Sequence, residues 1–151
     1  MGRCHKANAS AVLLSETTSE GRDLARVVCL ILAVVLVANG LAMLFAGPWW
    51  YGVVPGVVVT GPFNPHFVRD IGAAYLVVAG GLGWFAARPE QGWAALVAAA
   101  AFLTLHAAVH VFDAVCGTRF LADVARDLAG VYLPALVALA IAFRYPPERS
   151  S

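Results

Sequence analysis

Four windows of about 20 residues, each almost free of charge, constrain this chain more than any other feature. They cover residues 27–46, 67–87, 93–115 and 124–143. A bilayer core ~30 Å thick takes a helix of roughly that length, because the rise is ~1.5 Å per residue. The first window has no charge, the second holds Arg69 and Asp70 at its start, the third contains His106, His110 and Asp113, and the fourth starts with Arg126 and Asp127. Of the 151 residues, 61% are hydrophobic and 13% charged, against the ~25% charge of a soluble domain. Disorder is excluded by this apolar content. With Lys+Arg 10 against Asp+Glu 9 there is no basic excess, so no nucleic-acid partner is expected. The expected fold is an all-α integral membrane protein, a four-transmembrane-helix bundle over residues 24–145. A polar segment, 1–23, precedes it and a short tail, 146–151, follows.

The connections fit that plan. Arg88-Pro89-Glu90-Gln91-Gly92 is a tight polar turn, so the second and third spans are antiparallel neighbours. Between the first two spans, Gly and Pro forbid a continuous helix, while the apolar content predicts a segment lying in the interface or folding back over the bundle. Trp49, Trp50 and Tyr51 open it as an aromatic belt, with Trp84 and Trp93 supplying the opposite one. Asn64 or Pro65 caps the second span. No basic segment followed by an apolar run and cleavage site opens the chain, so a cleaved signal peptide is not expected. Lys6 occupies the Ser/Thr position of a myristoylation start.

Four spans put both termini on one side. That side, with the second loop, holds seven basic residues (Arg3, Lys6, Arg22, Arg26, Arg88, Arg144, Arg149) and the other holds three (Arg69, Arg119, Arg126). The positive-inside rule then predicts an N-in/C-in orientation. Cys4, Cys29 and Cys116 share no oxidising compartment, so no intramolecular disulfide is expected, and Cys116 reads either as a small buried apolar residue or as an outward thiol that pairs between chains.

On this topology the ionisable groups gather at one end. Segment two enters with His66, Arg69 and Asp70; segment three arrives with His106, His110 and Asp113; segment four enters with Asp123, Arg126 and Asp127. Helical spacing places His106, His110 and Asp113 on one face, and pairs His66 with Asp70 and Asp123 with Asp127. Ionisable groups in a membrane face the bundle interior or a wet cavity, which makes this cluster the candidate site. Imidazole and carboxylate suit a transition metal, with His66, His106, His110 and Asp113 as ligands. A haem could take His66 with His106 or His110, but not the latter two together, since both sit on one face. The structural alternative is an interhelical hydrogen-bond network, with His110 bonded to Asp70 or Asp127 and with Arg69 and Arg126 neutralising carboxylates. Arg69–Leu76 aligns without gaps to Arg126–Leu133, suggesting a short parallel repeat. Arg22-Asp23 repeats its start, which points instead to boundary chemistry favoured by the helix dipole. Tyr75 and Tyr132 sit just inside the cluster, as donors to a carboxylate or a quinone carbonyl, or as packed side chains. Gly72, Gly80, Gly81 and Gly83 permit close helix approach. No hydrolase elbow, phosphate loop or His-Glu-x-x-His motif is present, and the expectation is of a non-enzyme.

The entrance Asn64-Pro65-His66-Phe67-Val68-Arg69-Asp70-Ile71-Gly72 resembles that of the DoxX-like small four-span bacterial membrane proteins. So do the Arg-Pro turn, His106 and His110, and the Arg-Asp start of the fourth span. The resemblance, over roughly residues 24–145, implies a four-helix integral fold in a bacterial cytoplasmic (inner) membrane. Some members are linked to membrane thiol or oxidative-stress systems, but this chain lacks a cysteine pair in one compartment. Three functions stay open: an accessory or scaffold component working with a membrane-protein partner or as a homo-oligomer; a metal- or haem-binding redox protein; and a small proton-coupled transporter acting as an oligomer.

Overall fold

The structure, a computed structural model, describes residues 3–147, with side chains from Ser19 onward. It is all-helical, with no strand among the described residues. The elements are α1 (Arg3–Phe45), α2 (Gly47–Val53), a 3-10 turn (Val57–Val59), α3 (Pro65–Ala87), α4 (Pro89–Cys116), α5 (Phe120–Asp127), a π-turn (Leu128–Tyr132) and α6 (Leu133–Arg144). Among the described residues, four helices are long and apolar enough to cross a membrane: Ser19–Phe45, Pro65–Ala87, Pro89–Cys116 and Phe120–Arg144. They match the four expected windows, and the last three start two to four residues earlier, because backbone hydrogen bonding continues into flanking turns that a charge-based reading excludes. The polar 1–23 segment likewise continues as helix from Arg3. The side chains of Cys4 and His5, and the end of the 146–151 tail, lie outside the described residues.

Neighbouring spans run antiparallel in chain order. Gly40 meets Gly72 while Arg26 meets Ala86; Tyr75 meets His106 while Gly81 meets Ala95; His110 meets Asp127 while Trp93 meets Ala142. Each helix start has a local cause. The Asn64 side chain accepts from the His66 and Phe67 amides at 3.1 Å, and Pro65 follows at the first helical position. Between α3 and α4 only Arg88 intervenes, and Pro89 opens α4. At the far end of α3, Arg26 Nε donates to the Ala86 carbonyl (2.9 Å), satisfying an acceptor that the ended helix leaves open.

Packing relies on small residues. A Cβ added at Gly72 would stand 2.9 Å from Met43 Cβ and 3.0 Å from the Gly40 carbonyl oxygen, and one at Gly81 would stand 2.8 Å from the Ala95 carbonyl oxygen. Backbones this close are typical of helix contacts in membranes. Gly80 and Gly83 face open space, so only Gly72 and Gly81 of the four expected glycines serve close approach. The core is filled by Cys29, Leu82, Phe85 and Leu96. Cys116, expected to be buried, is exposed at the end of α4, where the helix stops at Gly117 and nothing packs over it.

The fourth span is interrupted. Pro134 has no amide hydrogen to give to the carbonyl four residues back, and its ring would clash there. The chain widens instead: the Leu133 amide donates to Leu128 O, five residues earlier, and a π-turn joins α5 to α6.

Candidate functional site

One polar row crosses three spans at the loop end of the bundle. Asp127, at the end of α5, is its centre, with a side chain only 8% exposed. One carboxylate oxygen lies 2.7 Å from His110 Nδ1. A carboxylate only accepts, so Nδ1 carries the proton. Arg126 donates from Nε to the other oxygen (2.7 Å) and from Nη2 to the first (3.0 Å), and from Nη1 to Asp123 (2.7 Å). A buried carboxylate without such donors would carry a large desolvation cost. From His110 the row continues by ring contact to His106 (centroids 4.8 Å apart), and His106 Nε2 lies 2.9 Å from the Tyr75 hydroxyl on α3. Phe102 stacks on His106 and meets Tyr75 edge-on. The order is Asp123, Arg126, Asp127, His110, His106, Tyr75, from the mouth of the bundle into its core.

Of the two carboxylates weighed for His110, Asp127 is the partner. His66 and Asp70 do pair (3.3 Å), but on the outside, 86% and 61% exposed. Their shared face is real but is the wrong one. The buried stripe of α3 runs through Val68, Gly72, Tyr75, Ala79 and Leu82, and His66 and Asp70 lie opposite. Asp113 is also exposed. The four residues expected as ligands, His66, His106, His110 and Asp113, are therefore not brought into one set. The described residues contain no group of three or more His, Cys, Asp or Glu placed to hold a metal ion. The short repeat does not extend to environment either: Asp127 is buried and bonded by two residues where Asp70 is exposed, and the Tyr132 hydroxyl is buried without a partner where Tyr75 has His106.

Three features escape sequence reasoning. Trp50, expected in a belt, turns inward and donates to Asn39 Oδ1 (2.8 Å), and Trp93 donates to the Ala142 carbonyl (3.0 Å). Trp49 and Trp84 do stand exposed. Gly56, at φ +86°, lies directly on the Arg126 guanidinium, where a side chain would collide. The π-turn sets the rotation of Asp127 relative to α6; its one sequence signal is Pro134 inside an apolar window.

Fold and row together define a class, a helical bundle with four membrane-length apolar spans, compatible with a small polytopic membrane protein. No family model matches the chain, and no curated protein or solved structure is significantly similar to it.

Proposed function

We propose that this chain is a small multi-pass protein of a bacterial inner membrane, N-in/C-in, acting as an accessory or scaffold component whose polar row is a structural key. One observation carries the reading: Asp127 is satisfied at once by His110 from α4 and by Arg126, and His106 extends the row to Tyr75 on α3. In an apolar surrounding a polar group without a partner is costly, so helices bearing complementary groups are held in one rotation. The row thus fixes three spans against each other and leaves their outer surfaces apolar for lipid or a membrane partner. The seven-to-three division of basic residues supports the orientation. The DoxX-like layout supports the four-span bacterial reading.

The test is purification from membranes in detergent, followed by metal analysis and unfolding of wild type and of Asp127→Ala. The key reading expects a destabilised Asp127→Ala and no stoichiometric metal. Stoichiometric metal that is lost in His106→Ala and His110→Ala would replace it with the redox reading.

A further inference from the structure

Residues 46–64, which join α1 to α3, include no charged side chain. They are nonetheless fastened. The Tyr51 hydroxyl donates to the Gly61 carbonyl and, at 3.3 Å, to that of Val58. Tyr51 meets Phe63 edge-on (centroids 5.4 Å), Trp50 is tied to Asn39 on α1, and Gly56 is seated on Arg126 of α5. One side of the loop is thus pinned over the mouth of the polar row. Its exposed apolar side chains are Trp49, Val53, Val58 and Val59, and Val59 is 77% exposed.

A fixed turn that displays Trp and three Val to water is unfavourable, at roughly 25 cal/mol per Å² of apolar surface. The surroundings indicate what covers it. The exposed Phe45 at the end of α1 and Phe67 at the start of α3 flank the loop, so its apolar face continues the apolar outer surface of two spans. The face offers little polar register for a protein partner, since the Thr60 hydroxyl is spent on the Val57 carbonyl (2.7 Å). A lipid interface requires no such register, and it favours a tryptophan at headgroup level. We propose that this loop is a lipid-binding paddle, with Trp49, Val53, Val58 and Val59 seated at the boundary of headgroups and acyl chains in the leaflet at the loop end.

This rests on the membrane reading above, and the experiment separates the two. Single cysteines replace Val58, Val59 and Val53 in a full-length Cys4→Ser, Cys116→Ser background, with the buried Cys29 kept. Each is nitroxide-labelled and reconstituted in phosphatidylcholine/phosphatidylglycerol vesicles, and collision with oxygen and with a nickel chelate is measured. Val77→Cys on the exposed face of α3 and Arg88→Cys in the tight turn are the lipid and aqueous references. The paddle predicts that Val53, Val58 and Val59 fall between the two references, more oxygen-accessible than Arg88 and shielded from nickel several-fold relative to it, but less so than the deeper Val77. Nickel access at the Arg88 level, or shielding from both reagents, as a second copy or a protein partner would give, overturns the paddle. Nickel access at Val77 instead overturns the membrane reading itself.

Discussion

Replacing Asp127 by alanine is the sharpest test of the polar key. The substitution removes three hydrogen bonds: one across helices from His110 and two from Arg126. Bonds to charged groups contribute ~1.5–3 kcal/mol in soluble hosts. Interhelical bonds in a membrane protein average ~0.6 kcal/mol with a maximum of ~1.7. Arg126 keeps Asp123 and is partly solvated, so its loss belongs at the low end. Taking about 1 kcal/mol for the His110 bond and about 1 for the two Arg126 bonds gives about 2 kcal/mol, roughly 30-fold in the unfolding equilibrium. The assay is reversible unfolding in dodecylmaltoside on titration with sodium dodecyl sulfate, followed by far-ultraviolet circular dichroism. Combining Asp127→Ala with His110→Ala should show a coupling of about 1 kcal/mol. Stability of Asp127→Ala within ~0.3 kcal/mol of wild type, or strict additivity of the pair, would refute the reasoning.

Other substitutions probe separate contacts by the same titration. Gly72→Ala should destabilise by ~1–3 kcal/mol, because its Cβ meets Met43 and the Gly40 carbonyl, whereas Gly80→Ala, facing open space, should be neutral or gain up to ~1 kcal/mol. Tyr75→Phe should cost ~0.5–1.5 kcal/mol through loss of the His106 partner. Tyr132→Phe should be neutral or stabilising, since its hydroxyl is buried without a bond. Pro134→Ala lets the fourth span relax toward regular α-helix, and removing a π-turn rotates α5 by about 100° relative to α6. The Asp127–His110 coupling should then fall toward zero in the double-mutant cycle.

The four long apolar helices were legible because an apolar run either reaches the ~20 residues that a bilayer crossing takes or does not. The Asn64 cap and the Arg88 turn were legible because caps and breakers act locally. Clustering of the ionisable residues at one end followed from topology alone. What did not follow was rotation. Helical spacing put His66 with Asp70, and that pair forms; it put Asp113 with His106 and His110, and the two rings touch while Asp113 stands exposed. Spacing says which residues share a face, but not which face meets a neighbour. On α3 that choice is made by Gly72 and Gly81, whose close contacts turn Tyr75 inward and leave Asp70 outside. Asp127 is aimed by the π-turn, which becomes visible only once the i−5 bond of Leu133 is seen.

That π-turn has a consequence for how the fourth span can vary. The residues before Leu128 and those after Tyr132 obey different angular phases, so a single helical wheel drawn from Phe120 to Arg144 misassigns one half. Each half answers to its own partner: α5 to the charged mouth through Asp123 and Asp127, α6 to the apolar core through Ala135, Ala138 and Ile141. Mutational drift in one half need not be matched in the other while the five-residue turn and Pro134 persist. The turn holds one residue more than an α-helical path needs, so removing it at constant length rotates the halves by about 100° and loses the match, whereas a one-residue deletion within 128–132 that restored regular helix would keep both faces where they are. The turn is a joint that lets two differently selected surfaces share one helix.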